Sequence, residues 1–296
     1  MYMKKINKLK NILILSAGGP AGIGFIKSIK KSKIKNVNII AADCDPLSVG
    51  LFLADKHFII PKLTEENSWL VIKKLIIENN INFILPCFEA GLLTLSKHIN
   101  ELKSLNVENF ISSYNTINLC NNKFNFYQHL KDKFNMPKLL DRTFIKPDVG
   151  SGSRGIRTIE AGIGEHMWEY LPGIEYTVDV FCNTKSEPLA TSVRTREGVK
   201  SGISVKGSVI RHKFLEQESQ KLCKVLNIIG PCCIQWKEDL EGNPKLIECN
   251  PRLGGGTYFT TLAGINPAEI YLNNSISHCK YPNEIKVTRY FEEIVI

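Results

Sequence analysis

The stretch LIECNPRLGGGTYF, Leu246–Phe259, decides how the rest of the chain is read. It begins as a buried strand, with Leu246 and Ile247 apolar, and then sets a carboxylate, a thiol and an amide in succession. Residues two apart in a strand face the same way. Glu248 and Asn250 therefore project together, while Ile247 and Cys249 point into the core. Two oxygen ligands on one face suit magnesium, which keeps several waters and shares phosphate oxygens. Arg252 follows on a turn with Gly254, Gly255 and Gly256, where it can stabilise charge on a transferring phosphoryl group. The preceding run CCIQWKED (232–239) is a second strand, joined through LEGN. If that connection is even-membered, Gln235 lies opposite Glu248 and supplies a third oxygen donor.

Composition narrows the class. The chain has 296 residues, 43% hydrophobic and 23% charged, which is enough for two or three subdomains with real cores. No run is long and apolar enough for a membrane span. The start, MYMKKINKLKNILILSAGG, is basic and then apolar like a signal peptide, but its apolar run is short and a buried first strand is the better reading. The net charge of +9 fits a lysine-rich surface or a field attracting anionic metabolites. Basic runs interleaved with aromatics are lacking, so nucleic acid is a poor partner. Nine cysteines are scattered without a CxxC pair, which points to reduced, buried thiols and a cytoplasmic setting. The six histidines show no metal spacing.

Along residues 10–112, short apolar runs alternate with helical patterns. NILILS (11–16), VNIIAADCD (37–45), FIIP (58–61) and INFILPCFE (81–89) read as strands, and NSWLVIKKLIIENN (67–80) as an amphipathic helix. That alternation indicates a doubly wound parallel sheet. NNKFNFYQHLKDKF (121–134) reads as a linking helix, after which short β-like runs dominate to residue 210. The helical EQESQKLCKVLNIIG (216–230) and the two strands around LEGN follow.

Three further motifs carry chemistry. SAGGPAGIGF (16–25), with Asp43 ending the next strand, could be a dinucleotide fingerprint, but its glycines lack GxGxxG spacing. A tight turn packing a helix on the sheet is the stronger reading. FIKPDVGSGSRGI (144–156) places Lys146 before a Gly-Ser loop whose N–H and hydroxyl donors can close over phosphates. It is not a Walker motif, because the lysine precedes the loop. In MWEYLPGIEYTVDVF (167–181), Glu169 to Leu171 could meet an adenine edge and Glu175 a ribose; a strand–turn–strand with surface acids is the competing reading.

Taken in order, Lys146, GSGSRGI, EYLPGIEYTVDVF and IQWKED…LIECNPRLGGG resemble the ATP-grasp superfamily, and most closely its carbamoyl-phosphate-synthase large-subunit-like ligases. AADCDPLSVGLFLADKHFIIP, FILPCFEAGLLTLS and NNKFNFYQHLKDKFNMP are similar to that branch's N-terminal domain and linker helix. The resemblance implies an α/β ATP-grasp fold: a pre-ATP-grasp Rossmann-like domain (1–115), a linker helix (116–135), a small β-rich lid (136–182) and a central mixed or antiparallel sheet with the metal site (183–296). It also implies ATP-driven joining of a carboxylate to an amine or similar nucleophile through an acyl phosphate. By matching position, Lys123, Lys146, Ser151, Gly152 and Ser153 would hold ATP phosphates; Glu169, Tyr170 and Leu171 would line the adenine and Glu175 the ribose. Gln235, Glu248 and Asn250 would hold Mg2+, with Mn2+ as the alternative ion, and Lys146 and Arg252 would act at the transferring phosphoryl. Arg194, Arg196, Lys206, Gly254 and Gly255 would face the substrates, a small-molecule carboxylate and amine. A homodimer is the expectation from symmetry statistics alone.

The sequence departs from the pattern in places. Asn122 stands where an aspartate usually precedes the linker lysine. Little room is left between Met136-Pro137 and Phe144, and EAGIGEHM replaces a longer lid segment, so the lid is expected to be short or the chain to lack residues there. Two other readings remain open at this level: a non-catalytic nucleotide- or metabolite-binding protein, and, more distantly, an NAD-dependent oxidoreductase.

Overall fold

The computed structural model describes residues 9–140, 142–145, 157–162, 165–273 and 282–296. The chain begins with β1 (Lys10–Leu15), α1 (Pro20–Lys31), β2 (Val37–Asp43), α2 (Val49–Phe52) and β3 (Lys56–Ile59). α3 (Ser68–Glu78), β4 (Phe83–Pro86), α4 (Glu89–Lys97) and α5 (Ile99–Ser104) complete the first unit. Its four strands are parallel, in the order β3-β2-β1-β4. Ile12 and Ile14 pack on one side with Phe25 and Ile26 of α1, and Leu13 and Leu15 on the other with Trp69, Ile72 and Ile76 of α3. Burial on both faces is why β1 reads as an unbroken apolar run rather than an alternation. The start is thus the expected buried strand.

α6 (Tyr114–Asn121) and α7 (Lys123–Leu130) follow. The linking helix expected over 121–134 is thus the shorter α7, and a separate helix, α6, precedes it, each with its own cap. Ser113 Oγ accepts from the Thr116 N–H and Asn122 Oδ1 from the Asn125 N–H. Asn122 is thus committed to starting the helix whose first residue is Lys123.

Two small antiparallel ribbons lie within the stretch expected to form a lid. β5 (Leu139–Leu140) pairs with β8 (Met167–Trp168), and β6 (Arg142–Ile145) with β7 (Arg157–Glu160). The expected phosphate loop at 146–156 lies outside the described residues, as do 141 and 163–164.

The remaining strands are β9 (Glu175–Cys182), β10 (Pro188–Thr195), β11 (Gly198–Lys200), β12 (Ile203–Ile210), β13 (Gly230–Glu238), β14 (Pro244–Asn250) and β15 (Ile285–Thr288). Three helices accompany them: α8 (Lys213–Val225), α9 (Thr257–Leu262) and α10 (Pro267–Leu272). The strands form one antiparallel sheet, β11-β12-β10-β9-β13-β14, with β15 on the far side of β12. The expected border at residue 182 is corrected by this order. β9 lies between β10 and β13 at the centre of the sheet, so from Glu175 on the stretch 136–182 belongs to that sheet.

One face of this sheet is apolar. Tyr176, Val178, Ile234, Trp236, Leu246 and Cys249 pack there against Leu215, Leu222 and Cys223 of α8. The hairpin β13–β14 reaches its register by an unexpected route. Glu238 pairs with Pro244, so the connection 239–243 is odd-membered, closed by Asp239 accepting from the Glu241 and Asn243 N–H groups. Left uncorrected, that register would set Gln235 opposite Ile247. A shift after Trp236↔Leu246 skips Ile247 and restores Gln235↔Glu248. A bulge of this kind turns the strand by one residue, so Leu246 and Cys249 occupy the core and Ile247 is only half-buried. The expectation that Ile247 points into the core is corrected accordingly.

Cys44 is exposed, while Cys87, Cys120, Cys182, Cys223, Cys232, Cys233 and Cys249 are buried free thiols. No helix among the described residues is long and apolar enough to cross a membrane.

Candidate functional site

The other face of the central sheet is polar, and its ladder lines up the chemistry. Directly paired residues share a face. One rung runs Glu248–Gln235–Thr177–Arg194 across β14, β13, β9 and β10. The next carries Asn250, Cys233, Asp179 and Ser192, and the one on the opposite side Lys245, Lys237 and Glu175. The sheet thus brings Gln235, Glu248 and Asn250 together, as the alternation in LIECN implies.

A connected chain of groups crosses the end of β14. Lys123 Nζ lies 3.8 Å from Glu248 Oε2. Glu248 Oε1 accepts a 2.9 Å hydrogen bond from Asn250 Nδ2, and Asn250 Oδ1 accepts one of 3.3 Å from Arg252 Nη2. Arg252 also donates to the Leu253 carbonyl, which folds the guanidinium back over its own turn. The donor set of one carboxylate and two side-chain amides offers oxygens and no sulfur, which fits a hard divalent ion. Cys249, between them in sequence, is turned to the opposite face, where its Sγ lies 3.3 Å from Cys232 Sγ. Among the described residues no group of three or more His, Cys, Asp or Glu is placed to hold a metal, so amides and phosphate oxygens would have to complete the set.

Arg194 does not present its charge to a substrate. It is 1% exposed, and its Nε and Nη2 each donate a 2.9 Å hydrogen bond to the Asp179 carboxylate. Asp179 also accepts from Thr260 Oγ1 at 2.6 Å and Thr257 Oγ1 at 3.3 Å, both on α9. Thr257 Oγ1 in turn accepts from the Gly254 N–H. The pair therefore anchors the glycine turn from beneath, and the expected substrate role of Arg194 is corrected to this one. Burial opposes the Arg194 charge, but Asp179 overrides it and holds the guanidinium pKa above its ordinary value. A Cβ on Gly256 would fall 2.2 Å from Arg194 Nη1. Because Asp179 fixes that guanidinium, Gly256→Ala is expected to cost about 1–3 kcal/mol of stability, read as a lowered urea midpoint.

Arg196 keeps a more open position. Its Nη2 donates to the Gly202 carbonyl, and its Nε lies 2.9 Å from Glu175 Oε1 without pointing along that contact. Glu175, the expected ribose acceptor, is thus paired with the expected substrate arginine. Lys206 is exposed on β12, and no ion pair forms at it among the described residues. Glu169 Oε2 accepts from the Lys138 N–H at 2.9 Å and lies 3.6 Å from Lys245 Nζ. Tyr170 is 81% exposed and Leu171 is buried. Lys146, Ser151, Gly152 and Ser153 fall outside the described residues.

The sequence reading missed Arg289. It follows β15, donates to the Gly255 carbonyl and lies over the Phe259 ring. Burial, and then the nearby Arg194 charge, lower its pKa from the ordinary value. The signal was a basic residue one step beyond the KVT strand run, but nothing in the sequence says which strand β15 joins.

The N-terminal unit closes the same region. A Cβ on Gly255 would touch Pro20 at 3.4 Å, and the Arg252 charge opposes the burial that pushes the Cys87 thiol up to about 12. The glycine turn of 16–25 is filled from within. Asp43 Oδ2 accepts from the Gly18 N–H at 2.8 Å, and Ser48 lies where a Gly18 side chain would go. Asp43 is therefore occupied in holding the turn, the tight-packing reading rather than the dinucleotide one.

Residues 167–292 match the family model described as "ATP-grasp in the biosynthetic pathway with Ter operon", and residues 12–110 match "PylC-like, N-terminal domain". The two halves of the chain are thus similar to a PylC-like N-terminal domain and to an ATP-grasp domain. No curated protein matches the sequence. Solved ATP-grasp structures share the fold at low identity. An L-amino acid ligase from Bacillus licheniformis superposes with a TM-score of 0.62 at 16% identity, over 90% of this chain and 74% of that one. A biotin carboxylase–βγ-ATP complex from Campylobacter jejuni gives 0.63 at 16%, over 91% and 71%. The biotin carboxylase domain of Hydrogenobacter thermophilus 2-oxoglutarate carboxylase, in complex with MgADP and bicarbonate, gives 0.60 at 14%, over 86% and 66%. The ATP-grasp architecture of parallel-sheet domain, lid and antiparallel sheet is thus the one this chain adopts.

Proposed function

We propose that the protein is an ADP-forming, magnesium-dependent ligase that joins a small carboxylate to an amine or related nucleophile through an acyl phosphate. The observation that carries this reading is the connected set Lys123–Glu248–Asn250–Arg252, with Gln235 on the same rung, beside a glycine turn fixed from below by Asp179 and Arg194. Phosphoryl transfer requires neutralised charge and alignment more than a covalent nucleophile, and this set consists of charge and aligned donors.

Glu248, Gln235 and Asn250 would hold magnesium, and bound magnesium would neutralise phosphate oxygens. Lys123 stands on the solvent side of Glu248 and is 72% exposed, so it is free to follow a phosphate as a point charge. Arg252 can leave its own turn to meet charge developing on the transferred group. The turn at Gly254–Gly256 lets a carboxylate approach backbone closely, and Arg289, which donates to the Gly255 carbonyl, gives that end of the cleft positive charge. Glu169, Leu171 and Glu175 line the opposite end, where the nucleoside would sit. In that orientation Lys146 and Ser151–Ser153 would close over the phosphates.

Titration calorimetry with Mg-ATP is expected to show saturable binding that disappears with EDTA. A screen for ADP release over amino acids and small carboxylates then identifies the acceptor. No heat and no thermal shift at millimolar nucleotide would end the ligase reading. Binding without ADP release under any acceptor would instead favour a nucleotide-binding protein.

A further inference from the structure

Thr177 occupies the centre of the polar rung, between Gln235 on β13 and Arg194 on β10. It is 1% exposed, and its Oγ1 has no hydrogen-bond partner. A buried, unsatisfied hydroxyl carries a desolvation cost that a methyl group of similar shape avoids. Its neighbours on the same face of β9 are committed: Asp179 to Arg194 and α9, Glu175 to Arg196. Across the ladder, Gln235 makes no side-chain hydrogen bond among the described residues, and directly opposed side chains in such a pair stand close enough to meet. Gln235 has two chemically different ends. Only its oxygen can serve a cation, and its NH2 group then needs an acceptor. With Glu248 given to the ion, the Thr177 hydroxyl is the buried acceptor beside it that has no partner among the described residues.

We propose that Thr177 is a positioning residue for the metal site. Its hydroxyl accepts a hydrogen bond from Gln235 Nε2 and so turns Gln235 Oε1 toward the ion that Glu248 shares. The proposal rests on the reading that Gln235, Glu248 and Asn250 hold magnesium. It accounts for an apolar-flanked strand, YTVDVF, retaining a hydroxyl where valine would satisfy the packing equally well. Partners that orient a ligand typically alter metal affinity by about 10–100-fold when removed. The effect here sits at the lower end, because Gln235 is a neutral ligand.

The test uses the whole protein with ADP as probe and Mg2+ as the titrant, followed by calorimetry and thermal shift. Thr177→Val is expected to raise the Mg2+ concentration needed for half-maximal ADP binding about tenfold. It should leave ADP affinity without metal unchanged and the melting temperature no lower than wild type. Thr177→Ser, which restores the hydroxyl, should return the Mg2+ requirement close to wild type. In a Gln235→Ala background, Thr177→Val should add nothing further, because the amide it orients is gone. An unchanged Mg2+ requirement in Thr177→Val overturns the proposal. So does a lowered melting temperature with an effect that persists in Gln235→Ala, since the hydroxyl would then be a structural group. If wild-type protein binds ADP with no response to Mg2+, the magnesium reading itself falls and takes this one with it.

Discussion

Glu248→Ala is expected to reduce acceptor-dependent ADP release by at least about a hundredfold, while the protein remains folded. In the proposed site Glu248 is the carboxylate of the donor set, so its loss would remove the charge that would hold a divalent ion against the triphosphate. The structural cost is small by comparison. Glu248 is half-buried, and its ion pair with Lys123 spans 3.8 Å to a side chain that is 72% exposed. Exposed pairs of that kind contribute about 0–1 kcal/mol. The hydrogen bond from Asn250 is also lost, but that amide stays within reach of solvent and of Arg252. Circular dichroism and the melting temperature should therefore stay near wild type while turnover disappears. Glu248→Gln sharpens the result, because it keeps a hydrogen-bond acceptor for Asn250 and removes only the charge. Normal turnover in the alanine variant would withdraw the metal assignment from this end of β14.

The architecture was legible where local pattern and tertiary role coincide. β1 and β4 read as buried parallel strands because both faces are covered, which leaves no polar residue to interrupt the run. Glu248 and Asn250 were legible because alternation alone sets them on one face. Gln235 was only conditionally legible. Its partner depended on the parity of a turn, and the turn proved odd; the bulge at Ile247 that restores the pairing leaves no mark in the sequence. The two arginines of SVRTRE show the limit most clearly. Arg194 lies near the end of β10 and Arg196 just past it, two residues on, with the same chemistry. One is sealed beneath α9 against Asp179 and the other lies beside Glu175 and the Gly202 carbonyl, and only the tertiary packing decides which. The sequence did contain a warning in YTVDVF. An acid inside an apolar run requires a buried counterion, which the sequence alone does not name and Arg194 supplies.

Asp179→Ala is expected to have the largest effect on stability. Asp179 and Arg194 are both 1% exposed, and the substitution leaves the guanidinium in the interior with no counterion. Removing one partner of a buried pair typically costs about 3–5 kcal/mol, which for a chain of this size lowers the melting temperature on the order of 10 °C. The same carboxylate accepts from Thr257 and Thr260, so α9 loses two of its hydrogen bonds to the sheet and the Thr257 hydroxyl that receives the Gly254 N–H is no longer fixed. Turnover should therefore fall even in the fraction that remains folded. The double variant Asp179→Leu/Arg194→Met separates the two consequences. Replacing both charges with apolar groups of similar volume commonly restores stability, but it cannot rebuild the hydrogen bonds that hold α9 and the glycine turn. Recovery of the melting temperature without recovery of turnover identifies the pair as the anchor of the site. Recovery of both would reduce it to a core element that an apolar pair can replace. A melting temperature unchanged in Asp179→Ala would show that Arg194 has an outlet to solvent, and would return it to the cleft as a substrate residue.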